Sequence, residues 1–422
     1  MVSFKKGVLK VTNDEETARL VFDCCFVANV LSIFVFYEVK LVSSIAALLL
    51  LGSSILIWVG RKNRKVVIPY NTVWYIIIIL YSAASSLWSS YLSKTIYPSL
   101  MRMAVILAII TAISIYVETP EHLERLMSLF IFSMVIITIL EFSSVSPSRW
   151  FSGKMGEHFS GCNANEVAFW STCAEMMAFY KYYIKRQKKY IILVMVFYVF
   201  VITSSSRKAT VAGLAAPLAI IVFSTFKKNY IIKIILMLLT IAFVFYFIMT
   251  NETAYNAVGV RFESLFKFME DDSQRYDYSM YLRTYYKDVA KELFTESPIL
   301  GKGLNNFSKI IDIDYGWRQA YSHSNHWQLL SELGIVGFIL YYFFYAFCII
   351  RLARDMLLNK SRISIMYISL LLLLFFLESA MVTFNSKTTQ LVVAMAYTAT
   401  YVGIDDGRQY KYIQNNVNGL EE

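Results

Sequence analysis

Charge is what this sequence has least of. Asp, Glu, Lys and Arg make up 17% of its 422 residues, while 57% are hydrophobic. Soluble domains carry about one quarter charged residues, so the composition excludes a cytosolic catalyst and a nucleic-acid reader. Cysteine is scarce as well. Cys24, Cys25, Cys173 and Cys348 fall inside apolar runs and Cys162 stands alone, which excludes a disulfide-stapled secreted domain. The four histidines (His122, His158, His323 and His326) show no zinc-type ligand spacing. The first 20 residues are polar and mixed in charge, with Lys5, Lys6, Lys10, Asp14, Glu15 and Glu16, and do not read as a cleavable signal peptide. No internal repeat or low-complexity tract is visible.

What the sequence has instead is long apolar runs. Leu41–Val59, Val73–Ser90, Ile231–Thr250 and Ile363–Phe384 are each long enough to cross a bilayer core of roughly 30 Å. Counting such runs predicts twelve helices, near 21–37, 41–59, 73–90, 98–116, 125–142, 165–184, 190–205, 209–226, 231–250, 327–350, 363–384 and 388–404. The pair at 190–205 and 209–226 is separated only by Ser206-Arg207-Lys208 and can also be read as one broken segment.

Basic residues test the count. Taking the N-terminus as cytoplasmic, the inner loops hold Arg61 to Lys65, Lys185 to Lys189, Lys227-Lys228 and Arg351 to Arg362. The outer ones hold one or two each, such as Lys40, Lys94, Arg149 with Lys154, and Lys387. That alternation is in phase with twelve spans. The expected fold is all-α, a polytopic inner-membrane helical bundle of about 12 transmembrane helices with one large, partly helical extracytoplasmic loop. Its expected divisions are a cytoplasmic tail at 1–20, helices one to nine over 21–250, the loop at 251–326, helices ten to twelve over 327–404 and a second cytoplasmic tail at 405–422. The loop has nine basic and eleven acidic residues, net −2, against +12 for the rest of the chain. Within it, Tyr281, Leu282, Tyr285, Tyr286, Val289, Leu293 and Phe294 fall at helical spacing and predict an amphipathic helix over Ser279–Phe294.

Polar groups that can do chemistry gather on the outer side. His323-Ser324-Asn325-His326 closes the loop, and a histidine at a membrane boundary can act as a general base near neutral pH. It can equally cap a helix, or form a metal site with His326 and Asp312 or Asp314. Arg207, at the outer end of a span, offers a planar fork of donors suited to phosphate oxygens, or else snorkels to the surface. Arg283 on the loop helix has the same two readings. Asp23, Arg102, Glu175 and Glu378 are ionisable groups within spans, open to roles in structure or in proton relay.

Several of these residues lie in a recognisable order. Pro298-Ile299-Leu300-Gly301-Lys302-Gly303-Leu304-Asn305-Asn306-Phe307 resembles the P-x-x-G-x-G-x-x-N-F segment of the O-antigen ligase and polysaccharide polymerase superfamily. Arg283 stands fifteen residues before Pro298, where that family has an arginine opening the loop helix. His323, with Glu332 and Gly334 after it, resembles the family's H-N-x-x-L-x-x-L-x-E-x-G run, with Ser324 and Trp327 as departures. Ser206-Arg207 and the stretch Phe159 to Glu166 are similar to its S-R helix start and its G-x-x-N-x-N loop. The resemblance covers roughly residues 70–400.

The resemblance implies a glycosyltransferase of the bacterial inner (cytoplasmic) membrane, with its active site facing the periplasm or cell exterior. Its donor would be an undecaprenyl-diphosphate-linked glycan and its acceptor a second glycan. His323 would be the base, Arg207 and Arg283 would clamp the diphosphate, and Asn325, His326, Tyr321, Asn165 and Glu332 would line the substrate site. No metal and no cofactor are implied. Partners would be the lipid bilayer, with a chain-length regulator and a flippase, and no nucleic acid. The expected reaction is polymerisation of repeat units into O-antigen, capsule or exopolysaccharide. The alternatives are ligation to lipid A core, a lipid-linked oligosaccharide flippase or transporter, and a scaffold in an export complex.

Overall fold

The computed structural model describes residues 2–418 except 38, 62–67, 90, 92–95, 151–154, 157–161, 205, 225–229, 271–277 and 319. The basic run at 62–65, Lys94, Lys154, His158, Phe159 to Gly161, Lys227-Lys228 and Asp271 therefore lie outside the described residues. The described residues contain helices and no strands. In chain order the helices are α1 (Val2–Val35), α2 (Lys40–Gly60), α3 (Tyr70–Ala84), α4 (Ile96–Tyr116), α5 (Pro120–Ser143) and α6 (Ala164–Tyr183). They continue as α7 (Tyr190–Thr203), α8 (Arg207–Ser224), α9 (Tyr230–Thr250), α10 (Val260–Glu270), α11 (Tyr278–Glu296) and α12 (Asn306–Ile313). The last three are α13 (Asn325–Arg354), α14 (Arg362–Leu377) and α15 (Lys387–Asn418).

A helix lies over each of the twelve apolar segments. Among the described residues, eight helices are long and apolar enough to cross a membrane: α1 over Glu16–Val35, α2, α3 extended to Leu87, α4, α5, α8, α13 and α14. α7 and α9 are shorter apolar helices. The remaining two, α6 and the first part of α15, are polar because they are enclosed: Ser171, Thr172, Glu175, Thr388, Thr389 and Gln390 are all buried. Protein, not lipid, surrounds them, so their hydroxyls and amides can be bonded internally.

α7 and α8 are two separate helices, as the count of twelve has them, and not one broken segment. Two boundaries differ from the sequence expectation. First, helix continues through residues 2–20 and 405–418, where only tails were expected; no proline interrupts either stretch, and extending an existing helix needs no new nucleus. Second, the span expected at 363–384 stops at Leu377. Beyond it the chain passes through Glu378–Ala380 and is held by Asn325, whose Oδ1 accepts from the backbone N–H groups of Thr383 and Phe384 at 2.9 Å each. Glu378, fully buried, accepts from the hydroxyls of Tyr342 (2.8 Å), Tyr345 (3.0 Å) and Thr383 (2.5 Å). A buried carboxylate needs such donors, and here they fix the chain where the helix ends.

The connections segregate to two ends of the bundle. At one end Arg61 pairs with Glu118, Lys185 with Glu124 and Arg125 with Asp23, while Tyr401 donates to the carbonyl of Val117. Residues from the α1–α2, α5–α6, α7–α8, α11–α13 and α14–α15 connections converge at the other end around a single cavity. These are the two sets that the alternation of basic residues separates.

Candidate active site at one end of the bundle

The scaffold of the site is a break in α13. Gly334 has φ +64° and ψ −169° inside the helix, a conformation open essentially to glycine. A break strands backbone groups in the protein interior, and each must find a partner. The Pro298–Phe307 segment supplies them. The N–H groups of Lys302 and Gly303 donate to the carbonyls of Ser331 (2.9 Å) and Glu332 (2.8 Å), and those of Ile335 and Val336 donate to Pro298 (2.9 Å) and Ile299 (3.4 Å). The Tyr81 hydroxyl takes the carbonyl of Leu333 at 2.9 Å. Contact is so close that a Cβ on Gly301 would strike the Glu332 backbone and one on Gly334 the Ile299 carbonyl.

Side chains complete this clasp. Glu332 is buried; it accepts from Gln328 Nε2 at 2.7 Å and from the backbone N–H groups of Asn305 and Phe307 at the start of α12. Asn306, also buried, accepts from the N–H of Tyr91 at 2.9 Å and donates to Ser89. The glycines and the Asn-Phe pair of the motif are therefore attachment points that hold the loop on the bundle. The loop has a core of its own, in which Tyr286, Val289, Ala290 and Leu293 of α11 pack on Phe307, Ile310 and Ile311 of α12. The amphipathic pattern over Ser279–Phe294 corresponds to α11, and its apolar face is this contact.

His323 sits at the edge of the clasp with φ +54°, in the left-handed region. Its neighbour Ser322 is anchored through its N–H to Gln328 Oε1 at 2.8 Å, and through its hydroxyl to the carbonyl of Ser324 at 2.8 Å. A relay Glu332–Gln328–Ser322 thus connects the broken helix to the histidine's backbone. The imidazole lies 4.2 Å (ring centroids) from Tyr321 and 6.2 Å from Tyr286. Burial, then the charges of Arg283, Lys208 and Lys287, push its pKa down from 6.5 to about 3, so it is neutral at physiological pH. Burial, then Arg283, likewise holds Lys287 below the ordinary lysine range.

His323 faces a cavity of ≈ 760 Å³, of the size that holds small ligands. Arg283, Tyr321, Asn165 and Glu332 also line it. The other expected site residues lie elsewhere. Arg207 is not among the lining residues; its guanidinium donates to the carbonyl of Arg261. The next residue, Lys208, lines the cavity instead, with Nζ 2.6 Å from the carbonyl of Ala380. Asn325 is fully buried, bonded to Tyr342 (2.9 Å) and to the Thr383-Phe384 backbone, whose residues form part of the wall. His326 packs among Phe338, Tyr342 and Phe375, at 5.1–6.2 Å between ring centroids. Among the described residues no three His, Cys, Asp or Glu side chains come together as a metal group. Asp314 accepts from Tyr91, and Asp312 lies 3.9 Å from Lys309. Lys208, Lys287, Gln328, Arg102 and Lys387 were not singled out as site residues. Two of them had a readable signal: Lys208 its place beside Arg207 at a helix start, and Arg102 its charge within a span.

The arrangement offers a neutral imidazole beside fixed cations, in a wall of hydroxyls and amides. It can accept a proton from a hydroxyl while stabilising an anionic leaving group. No curated protein matches the chain. Residues 191–342 match the family model described as O-antigen ligase, a stretch running from α7 past the break in α13 and including Lys208, Arg283, His323 and Glu332. With its membrane-length helices the chain is a multi-pass membrane protein, and its residues 191–342 are similar to the O-antigen ligase family, a family of membrane glycosyltransferase-type enzymes.

Proposed function

We propose that this protein polymerises undecaprenyl-diphosphate-linked oligosaccharide repeat units on the outer face of the bacterial inner membrane. The observation that carries the reading is the convergence of His323, Arg283 and Lys208 on one cavity. An acceptor sugar hydroxyl attacks the anomeric carbon of the donor, forming the new glycosidic C–O bond. The C–O bond to the lipid diphosphate breaks, and its electron pair stays on the diphosphate oxygen. His323 takes the hydroxyl proton. Arg283 and Lys208 face the charge that builds on the leaving group, work that elsewhere is done by a metal ion. Arg207 has a tethering role in this reading, holding the start of α8 to the Arg261 carbonyl so that Lys208 is aimed inward. Asn165 and Tyr321 contact the sugars, while Asn325 and Glu332 position the walls and His326 packs behind them.

The test is a purified system with a synthetic undecaprenyl-diphosphate repeat unit, detergent and EDTA, and neither nucleotide nor ion gradient. Chain extension is expected, and His323→Ala should reduce it about 10²–10⁴-fold. Full activity of His323→Ala, or an EDTA block reversed by added metal, would end the metal-free base mechanism. A flippase or transporter would give no glycan product at all. Ligation to lipid A core is the second reading, favoured by the description of the matching family. The glycan profile of a deletion strain separates the two: loss of long chains with one repeat retained means polymerase, and loss of every repeat from lipid A means ligase.

A further inference from the structure

At the end of the bundle away from His323, where Arg61 pairs with Glu118 and Lys185 with Glu124, lies another cavity. It has a volume of ≈ 360 Å³, is walled by α1, α4, α5 and α6, and shares no residue with the cavity at His323. Lys181 of α6 lines it and is only 4% exposed. Its Nζ lies 5.7 Å from the centre of the Tyr190 ring. Among the described residues it takes part in no ion pair and no hydrogen bond. Glu124 attracts it, but Glu124 is paired with Lys185, and Lys185 and Lys189 repel it. A buried cation without a counter-charge is costly, and an anion in the cavity removes that cost.

Tyr116 and Arg125 line the same cavity. The Tyr116 hydroxyl is buried and has no hydrogen-bond partner. Its ring is fixed between Phe22, stacked at 3.8 Å, and His122 at 5.1 Å, and the charges of Arg125 and Arg19 act on it. Arg125 holds Asp23 through Nε (3.0 and 2.8 Å) and Nη2, which leaves Nη1 open in a side chain that is 47% exposed. An ammonium, a hydroxyl and a guanidinium N–H around one space match the several acceptor oxygens of a phosphate. The acids at the cavity do not take that place: Glu124 is held by Lys185, and Glu121 is exposed.

Apolar outward-facing surface adjoins the cavity. Ser128 lines it one turn on from Arg125, and Phe132, 54% exposed, continues that face of α5. On α1, Leu20, 60% exposed, follows the lining residue Arg19. Basic pockets between helices at the cytoplasmic side suit acidic lipid headgroups, and the alternation of basic loops makes this end cytoplasmic. We propose that this cavity binds the phosphate of an anionic phospholipid of the cytoplasmic leaflet. Lys181, Tyr116 and Arg125 are its donors, and the acyl chains run along Phe132 and Leu20. The lipid then ties α1, α5 and α6 together beside the Arg125–Asp23 and Lys185–Glu124 pairs. The proposal rests on the orientation of the bundle and not on the glycosyl-transfer reading.

The experiment follows delipidated full-length protein in neutral detergent by native mass spectrometry and thermal unfolding, with phosphatidylglycerol, phosphatidylcholine or inorganic phosphate added. One phosphatidylglycerol per chain should be retained about 10-fold or more over phosphatidylcholine, whose choline cation the site repels, and should raise Tm. Lys181→Met should lose both the preference and the shift. Without lipid, that variant should unfold no lower than wild type, because it has lost a buried charge that had no partner. Tyr116→Phe, a milder change, should weaken retention in the same direction, and Arg283→Ala should leave it intact. Equal retention of the two lipids by wild type, or an undiminished preference in Lys181→Met, overturns the proposal. So does a lower lipid-free Tm in Lys181→Met, which would show the ammonium already satisfied within the protein. Lipid lost in Arg283→Ala but kept in Lys181→Met would place it in the cavity at His323 instead. If inorganic phosphate raises Tm as far as phosphatidylglycerol at equal concentration, and only with Lys181 present, the site takes a soluble phosphate and the lipid assignment falls.

Discussion

His323 and the cations around it oppose each other in the free enzyme and cooperate when donor is bound. Burial and the charges of Arg283, Lys208 and Lys287 hold the imidazole at about pKa 3, which keeps it unprotonated but makes it a weak base. A bound diphosphate cancels much of that positive field, so the imidazole's pKa should rise when donor binds. The sign follows. In the free enzyme His323 stays neutral as pH falls from 7 towards 4, so its protonation leaves kcat/KM flat over that range. In the complex the raised pKa brings protonation, and loss of the base, to higher pH. The acid limb of kcat should therefore lie above that of kcat/KM, since the two report the complex and the free enzyme. Coincident limbs near 6.5 would contradict this electrostatic account. The cations make a second prediction. Arg283→Lys retains charge but loses the planar fork, so most activity should go, whereas Arg207→Lys, which can still donate to the Arg261 carbonyl, should retain most of it. If the Arg207 variant is the more damaged of the two in a kcat assay on protein of equal abundance, their assigned roles are reversed.

At the scale of elements, the break in α13 and the Pro298–Phe307 clasp form one unit. Gly334→Ala or Gly301→Ala puts a Cβ against backbone at a positive φ. That strain costs of order 1–3 kcal/mol and should loosen the loop without expelling the chain from the membrane. The expected outcome is lost activity together with faster proteolysis between α11 and α13, read against unchanged membrane abundance. Wild-type activity in both variants would mean the clasp does not position His323. Glu332→Ala leaves three buried donors without their carboxylate, from Gln328, Asn305 and Phe307. Each unsatisfied donor costs about 1–3 kcal/mol, so this change should be at least as damaging as the glycine ones. Glu332→Gln keeps an acceptor and should recover part of the activity. Equal loss in the Ala and Gln variants would instead indicate a direct need for the charge.

Across the whole molecule, orientation remains a prediction. The connections cluster at two ends, one with the cavity at Tyr321 and Ser386, the other with the Arg61–Glu118 and Lys185–Glu124 pairs. The excess of lysine and arginine on the second set makes that end cytoplasmic. In a background freed of the five native cysteines, Ser386→Cys should react with an impermeant thiol reagent in spheroplasts. Glu118→Cys should react only after lysis. The opposite pattern would invert the protein and place the cavity on the wrong face for the proposed chemistry.

Sequence by itself determined the elements, because apolar runs of membrane length and the alternation of basic loops are local in the chain and need no partner to be read. It also marked His323, Arg283, Asn165, Tyr321 and Glu332, all of which line the cavity. What it could not assign was which neighbour in each motif faces inward. Arg207 and Lys208 differ by about 100° around a helix, and only the packing of α8 decides that Lys208 lines the cavity. Asn325 and His326 read as site residues because they flank the histidine, yet one is consumed holding the Thr383-Phe384 backbone and the other lies among aromatic rings. The gathering of Lys40, Arg102 and Lys387 was not readable at all: 62 and 285 residues separate them, only Arg102 stood out, as an ionisable group within a span, and only the folded bundle brings all three to one cavity.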